Sequence, residues 1–238
     1  MKLEKFLEEI KVLGINVDET MKSQFINYKN LIQEVNKVLN LTGIDDDEGI
    51  YHKHFYDSLL ISPMMENDKS VVDVGSGAGF PGIVLAIARP DLKVTCVEPT
   101  TKRTQFLSRV VSECGLKNVI ILNARAEDII DTLRETFDYA TARAVAYLDI
   151  LSELCIPFVR IGGHFIAMKG QKGTEEYESS LKAVHKLGGE LIETHKFVDE
   201  VMGERYNLVI KKVRSTPKQY PRAYAKIKKT PLSGRKHD

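Results

Sequence analysis

Apolar positions along the chain fall into two rhythms. Over the first 65 residues they recur at helical spacing: Met21, Phe25, Tyr28, Leu31, Ile32, Val35, Val38 and Leu39 share one face, with Asp18 as a natural N-cap. A shorter helix fits residues 3 to 13 and ends at Gly14. From residue 70 onward, brief β-branched runs alternate with amphipathic stretches. Strands are expected near 70–74, 93–98, 118–122, 137–142 and 163–168, with helices near 82–89, 101–114, 126–134 and 146–159. Strands separated by helices of this length form parallel βαβ units, which makes the domain α/β. The stretches ELIETHKFV and YNLVIKKV follow with no helix between them and read as an antiparallel edge pair. With no flexible linker before Val71, residues 1–65 are expected to be a helical cap packed on a main domain of 66–213, leaving 214–238 as a C-terminal arm.

The polar and glycine positions then change the picture. VVDVGSGAGFPG, Val71 to Gly82, holds four glycines behind a strand-like run and before a helix-like one. Glycines there let the backbone take positive φ and approach a ligand, and the following helix offers unpaired N–H groups. The spacing Gly77-x-Gly79-x-x-Gly82, with Glu98 about 20 residues on, matches the dinucleotide fingerprint, so a nicotinamide-dependent oxidoreductase is one reading. Asp73 argues for another. A carboxylate at the strand end repels a pyrophosphate but attracts a ligand carrying an ammonium and a sulfonium. Gly75, Glu98, Asn123, Arg143 and Lys169 all stand just past predicted strand ends, where open α/β sheets take their ligands, and are expected to converge on one cleft.

Asp73-x-Gly75-x-Gly77-x-Gly79 with Glu98 resembles the cofactor motif of Rossmann-like methyltransferases that use S-adenosylmethionine (SAM). The longer string DVGSGAGFPG, preceded by HKHFYDS and followed by TARAV and MKGQ, closely resembles the RsmG (GidB) family, whose enzymes methylate N7 of a guanine in the decoding-centre loop of bacterial 16S rRNA. The likeness runs from about Leu31 to Lys211. It implies a Rossmann-like SAM-dependent methyltransferase fold: a mostly parallel seven-stranded sheet with an antiparallel last strand. It implies SAM as cofactor, held by Asp73, Gly75, Gly77, Gly79, Phe80, Glu98, Ala126, Glu127 and Arg143. Glu98 would accept bonds from two ribose hydroxyls, and Ala126 with Glu127 would meet the adenine edge. Arg143 matches a cofactor-contacting arginine and could also orient the acceptor; no catalytic residue is assigned beyond that. Each has a plainer alternative: Glu98 as a surface acid, Glu127 as a first-turn acid favoured by the helix dipole, Arg143 as the partner of Asp138 or Asp149.

Two absences constrain the acceptor. No Asn- or Asp-Pro-Pro-aromatic motif for exocyclic amines follows the fourth strand, and Cys155 lies inside an apolar helix rather than in a nucleophile's place. Guanine N7 has an in-plane lone pair and no proton to lose, so alignment replaces a general base. Lys102, Arg103, Arg125, Lys169 and Arg205 are candidates for gripping RNA phosphate, with solvated surface charge as the alternative.

A net charge of +1 conceals an asymmetry. Residues 211–238 hold ten Lys or Arg against one acid, leaving 24 against 32 in the rest. The tail mixes these cations with Tyr220 and Tyr224 and is broken by Pro217, Pro221 and Pro231, which suits an extended basic arm that binds RNA; a solubilising disordered end is the plainer alternative, and the sequence leaves open whether part of the arm packs back on the sheet. The expected partner is 16S rRNA or a small-subunit assembly intermediate; a noncatalytic rRNA-binding assembly factor is the further alternative. MKLEKFLEEIKVLG alternates charge with apolar residues and is no signal peptide, and no run approaches a membrane span, so a cytoplasmic protein without a membrane partner is expected. Cys96, Cys114 and Cys155 fit reduced thiols, and His52 and His54 lack companions at metal-ligand spacing, so no metal is expected.

Overall fold

A computed structural model describes residues 1–235. Two compact units make up the chain, Met1–Asn123 and a second that begins at Ala124.

The first unit opens with α1 (Leu3–Val12) and α2 (Glu19–Leu39). Asp18 caps α2 by accepting from the Met21 N–H at 2.7 Å, and Asn40, in the left-handed region, ends it. The predicted apolar stripe is buried from Met21 to Ile32 but leaves the core at the last turn, where Val38 is 82% exposed. A π-helix, Ile50–Tyr56, follows and overlaps the start of HKHFYDS. Then come β1 (Ser70–Val74), α3 (Gly82–Ala88), β2 (Lys93–Val97), α4 (Thr101–Glu113) and β3 (Val119–Leu122). The strands lie in the order β3-β2-β1, all parallel, with Asp73 opposite Cys96 and Cys96 opposite Ile121. Every residue of α3 is buried.

An aromatic chain ties the N-terminal helices to the glycine stretch. Phe6 meets Phe25 edge-on at 5.0 Å; Tyr28 stacks on Phe55 at 5.1 Å; His54 stacks on Phe80 at 4.3 Å. Burying each such side chain contributes roughly 1.5–3 kcal/mol, so this cluster is a principal source of cohesion in the unit.

The second unit holds α5 (Ala126–Leu133), β4 (Phe137–Arg143), α6 (Leu148–Cys155), β5 (Val159–Lys169), α7 (Gly173–Lys186), β6 (Gly189–Asp199), β7 (Gly203–Lys212) and α8 (Tyr224–Lys229). Its order is β4-β5-β7-β6; β4 and β5 are parallel, and β7 runs antiparallel to both neighbours. Arg143 and Met168 pair at the carboxyl ends of β4 and β5, and Lys169 pairs with Tyr206. The sequence pattern misses α7, whose segment GTEEYESSLKAVHK is polar on most faces and buries only Gly173, Ser180, Ala183 and Val184.

Instead of an extended arm, the described part of the tail folds back on this unit. Glu153 on α6 is fully buried and needs a cation; Arg222 supplies it at 2.6 Å. The Arg134 guanidinium donates to the Tyr220 carbonyl at 2.8 Å, and Ile227 is fully buried. Lys212, 1% exposed, donates to the carbonyls of Ile156 and Val159 and to the Thr216 hydroxyl, with Glu135 at 3.1 Å. Burial pushes the Lys212 ammonium below the usual lysine range despite that carboxylate. Residues 236–238 of the expected arm lie outside the described residues.

Candidate functional site

Two groups of residues gather at strand carboxyl ends, one in each unit. In the first, Gly75, Gly77 and Gly79 take φ of 75°, 59° and 101°, values that residues with a Cβ rarely adopt. The N–H groups of Gly75 and Ser76 donate to the Val97 carbonyl, and those of Gly79 and Phe80 to the Ser76 carbonyl. The loop therefore closes on itself and on β2. At Gly79 an added Cβ would lie 2.5 Å from the Tyr28 hydroxyl and 2.7 Å from Ile83. At Gly77 it would meet nothing nearer than the Gly75 carbonyl oxygen at 3.9 Å. One side of the loop is packed and the other is bare.

Two acids hold this shape. Asp73 is fully buried, and its Oδ2 accepts from the Gly82 N–H at 2.9 Å, binding the end of β1 to the start of α3. The sequence suggested a carboxylate at the lip of the loop; the structure encloses it behind the loop, where its first task is geometric. Glu98, 2% exposed, accepts from the Gly77 N–H at 3.0 Å on one oxygen and from the Thr100 N–H at 2.9 Å on the other. Each oxygen keeps one acceptor position, which suits a pair of neighbouring hydroxyls. Asn123 steadies this corner by donating to the carbonyls of Glu98 and Pro99. Arg103 stands 3.9 Å from Glu98, whereas Lys102 is exposed on the same turn of α4. The bare backbone at Gly77 beside a buried carboxylate with spare acceptor positions fits an adenosine-type ligand, and SAM is of that kind.

Tyr28 was not legible as a site residue. Its hydroxyl donates to the Ala78 carbonyl at 2.5 Å, so a residue of α2 fixes the loop from beneath. Phe80, a candidate cofactor contact by resemblance, has its ring 7% exposed against His54, with Tyr28 and Phe55 near it. Its side chain serves packing. His54 is occupied by that stack and by the Thr42 hydroxyl at 2.7 Å. Cys96 is buried beside Asp73, and burial, with that carboxylate, pushes its thiol far above the usual range.

In the second unit, Ala126 is buried and Glu127 half-buried in the first turn of α5. Arg143 is half-buried at the end of β4. Lys169, expected to be available to phosphate, is 9% exposed; it donates to the Ala146 carbonyl at 2.8 Å and pairs with Glu176 at 2.7 Å. Its charge is spent inside the protein. Arg125 is exposed and lies at 5.9 Å over the ring of Tyr224, the first residue of α8, whose Lys226, Lys228 and Lys229 are exposed. Arg205, half-buried on β7, donates to the Glu204 carbonyl. Among the described residues, no helix is long and apolar enough to cross a membrane.

A family model described as rRNA small subunit methyltransferase G matches residues 21–208. The chain is 46% identical over 236 residues to "Ribosomal RNA small subunit methyltransferase G" of Staphylococcus aureus strain Newman, covering 98% of this chain and 99% of that protein; the strain JH9 protein gives the same figures. Among solved structures, M. jannaschii TYW2 in complex with AdoMet is similar with a TM-score of 0.56 and 19% identity, covering 72% of this chain and 80% of that one. A SAM-dependent methyltransferase from Aquifex aeolicus gives 0.55 and 18%, over 73% and 97%. At such identities these likenesses show the fold alone, a Rossmann-like methyltransferase fold.

Proposed function

The chain belongs to the GidB family of rRNA small subunit methyltransferases, and from that premise we propose that it moves a methyl group from SAM to N7 of a guanine in the decoding-centre loop of 16S rRNA. The near-full-length likeness to a protein named for small-subunit rRNA methylation carries this reading. The glycine loop and Glu98 add a chemical reason: they form a ledge of bare backbone beside a carboxylate.

SAM, when bound, supplies an electrophilic methyl on a sulfonium. In this reading Gly75, Gly77 and Gly79 let the chain approach the donor closely, Asp73 fixes the loop on α3, and Glu98 accepts from the ribose hydroxyls. Ala126 and Glu127 meet the adenine edge, and Arg143 contacts the donor and orients the acceptor. No residue needs to remove a proton, because N7 attacks through a lone pair already in the ring plane. Holding the two partners in line supplies the rate. The guanine must be unpaired or extruded, since N7 in an A-form helix lies in a deep, narrow groove. Arg125 with Lys226, Lys228 and Lys229 provides a cationic surface for RNA phosphates, and its contribution should fall with added salt. The products are S-adenosylhomocysteine and a cationic 7-methylguanine.

Labelled SAM and small-subunit RNA from cells lacking the gene test the reading. Label should appear in one guanine, identified by nucleoside mass spectrometry as 7-methylguanosine. Binding of NAD with none of SAM would overturn it, as would RNA binding without transfer.

A further inference from the structure

Residues 144–147 turn the chain from β4 into α6, directly after Arg143. Ala144 has φ of 56°, an uncommon conformation for a residue with a Cβ, so something outside the turn must hold it. An ion pair from the neighbouring elements reaches it. Lys169 Nζ donates to the Ala146 carbonyl at 2.8 Å and lies 2.7 Å from Glu176 Oε2, which accepts from the Leu148 N–H at 3.0 Å. The pair grips the backbone on both sides of Tyr147, and its side chains are only 7% and 21% exposed.

What the clamp presents is apolar. Val145 is 37% exposed and Tyr147 48%, although the same unit buries Tyr139, Phe158, Phe165 and Tyr220 to 5% or less. A half-exposed ring past the carboxyl end of a parallel strand stands at the end where open α/β sheets take ligands. Its chemistry suits one occupant. A flat purine splayed from an RNA loop stacks on a phenol ring whatever its edges carry, and transfer to N7 asks for alignment of that plane rather than for an acid or base.

We propose that Tyr147 is the platform on which the acceptor base stacks, and that Lys169 and Glu176 are positioning residues that present it. The proposal rests on the methyl-transfer reading above. Lys169 then acts on RNA through the turn rather than by touching phosphate.

The test uses the full-length enzyme, labelled SAM and unmethylated small-subunit RNA, with SAM affinity measured separately by calorimetry. Tyr147→Ala should lower kcat/KM for RNA about tenfold to a hundredfold, the range expected for losing one stacked base, with SAM affinity and melting temperature unchanged. Tyr147→Phe keeps the ring and should restore activity to the wild-type level. Lys169→Met should lower kcat while leaving SAM affinity in place. Full activity in Tyr147→Ala beside an active wild type overturns this proposal alone. So does a loss of SAM affinity that matches the loss of activity. A wild type that binds SAM and RNA without transferring methyl overturns the methyl-transfer reading and takes this proposal with it.

Discussion

The glycine loop of the first unit and the 144–147 turn of the second both follow a parallel strand, yet they are built on opposite plans. The loop is closed from every side but one: two buried carboxylates, a buried tyrosine hydroxyl and its own backbone bonds fix it. The turn is gripped from below by the Lys169–Glu176 ion pair and exposes Val145 and Tyr147. On the proposed reading, the difference follows from what each would meet. A small donor of constant shape rewards a preformed seat, because rigidity removes the ordering cost of binding. A base carried on a large RNA needs an open approach, so the second site keeps its contacts outside and its support inside.

The sharpest way to break this contrast is at Gly79. Its φ of 101° and the 2.5 Å and 2.7 Å approaches of a Cβ to Tyr28 and Ile83 leave no room for a side chain. Gly79→Ala should cost about 3 kcal/mol or more, roughly a hundredfold in SAM affinity by calorimetry. Gly77→Ala, with open space around its Cβ, should cost only about 1 kcal/mol of backbone strain. Equal and small effects at the two positions would mean that the loop is not preformed.

Much of this was legible because it is local. Glycines before a helix, β-branched runs and an Asp before an apolar helical stripe announce their conformations through steric and hydrogen-bond preferences that act within a few residues. What escaped was decided by tertiary partners. Asp73 was readable as an acid beside the loop, but not as a buried one, since its burial depends on the Gly82 N–H nine residues on. Lys169 reads as a free cation until the 144–147 turn brings it Ala146 and α7, a helix too polar to announce itself, brings it Glu176. Tyr28 carries a helical-face signal and nothing more; only the fold sets its hydroxyl on Ala78. How the tail lies was left open by the sequence for a related reason. Its prolines do forbid a long helix, but they do not forbid docking, and the buried Glu153 that recruits Arg222 lies 69 residues away.

Tyr28 offers a finer measurement. Phenylalanine keeps the ring in the aromatic chain and removes the hydroxyl that donates to Ala78, leaving a buried carbonyl without that donor. Tyr28→Phe should weaken SAM by about 1–2 kcal/mol, roughly fivefold to thirtyfold, and leave the KM for RNA unchanged. A variant that lost RNA affinity instead would show that α2 serves the acceptor side, and the contrast between the two regions would fail.

The smallest effect concerns how the second unit's closure depends on charge. Glu135 feels burial, which raises its carboxyl, but the Thr216 N–H, the Lys212 ammonium and the Ser215 hydroxyl outweigh it and hold the group below the usual glutamate range. Arg134 also bears on this cluster by lowering Lys212 further. With the folded value depressed, the stabilisation is complete above the unfolded carboxylate range and disappears as pH falls through the folded value. Acid should therefore loosen the tail's anchorage at Thr216. Glu135→Gln should flatten the acid limb of the stability curve, shrinking the loss between neutral and acid pH by about 1 kcal/mol, as read by urea melts across pH. Because the tail carries Arg222 and the lysines of α8, RNA affinity should fall in acid along with that anchorage in the wild type and less in the variant. An acid limb of unchanged steepness in Glu135→Gln would assign the closure to the apolar contacts of Tyr220 and Ile227, making the second unit resemble the first in how it is held.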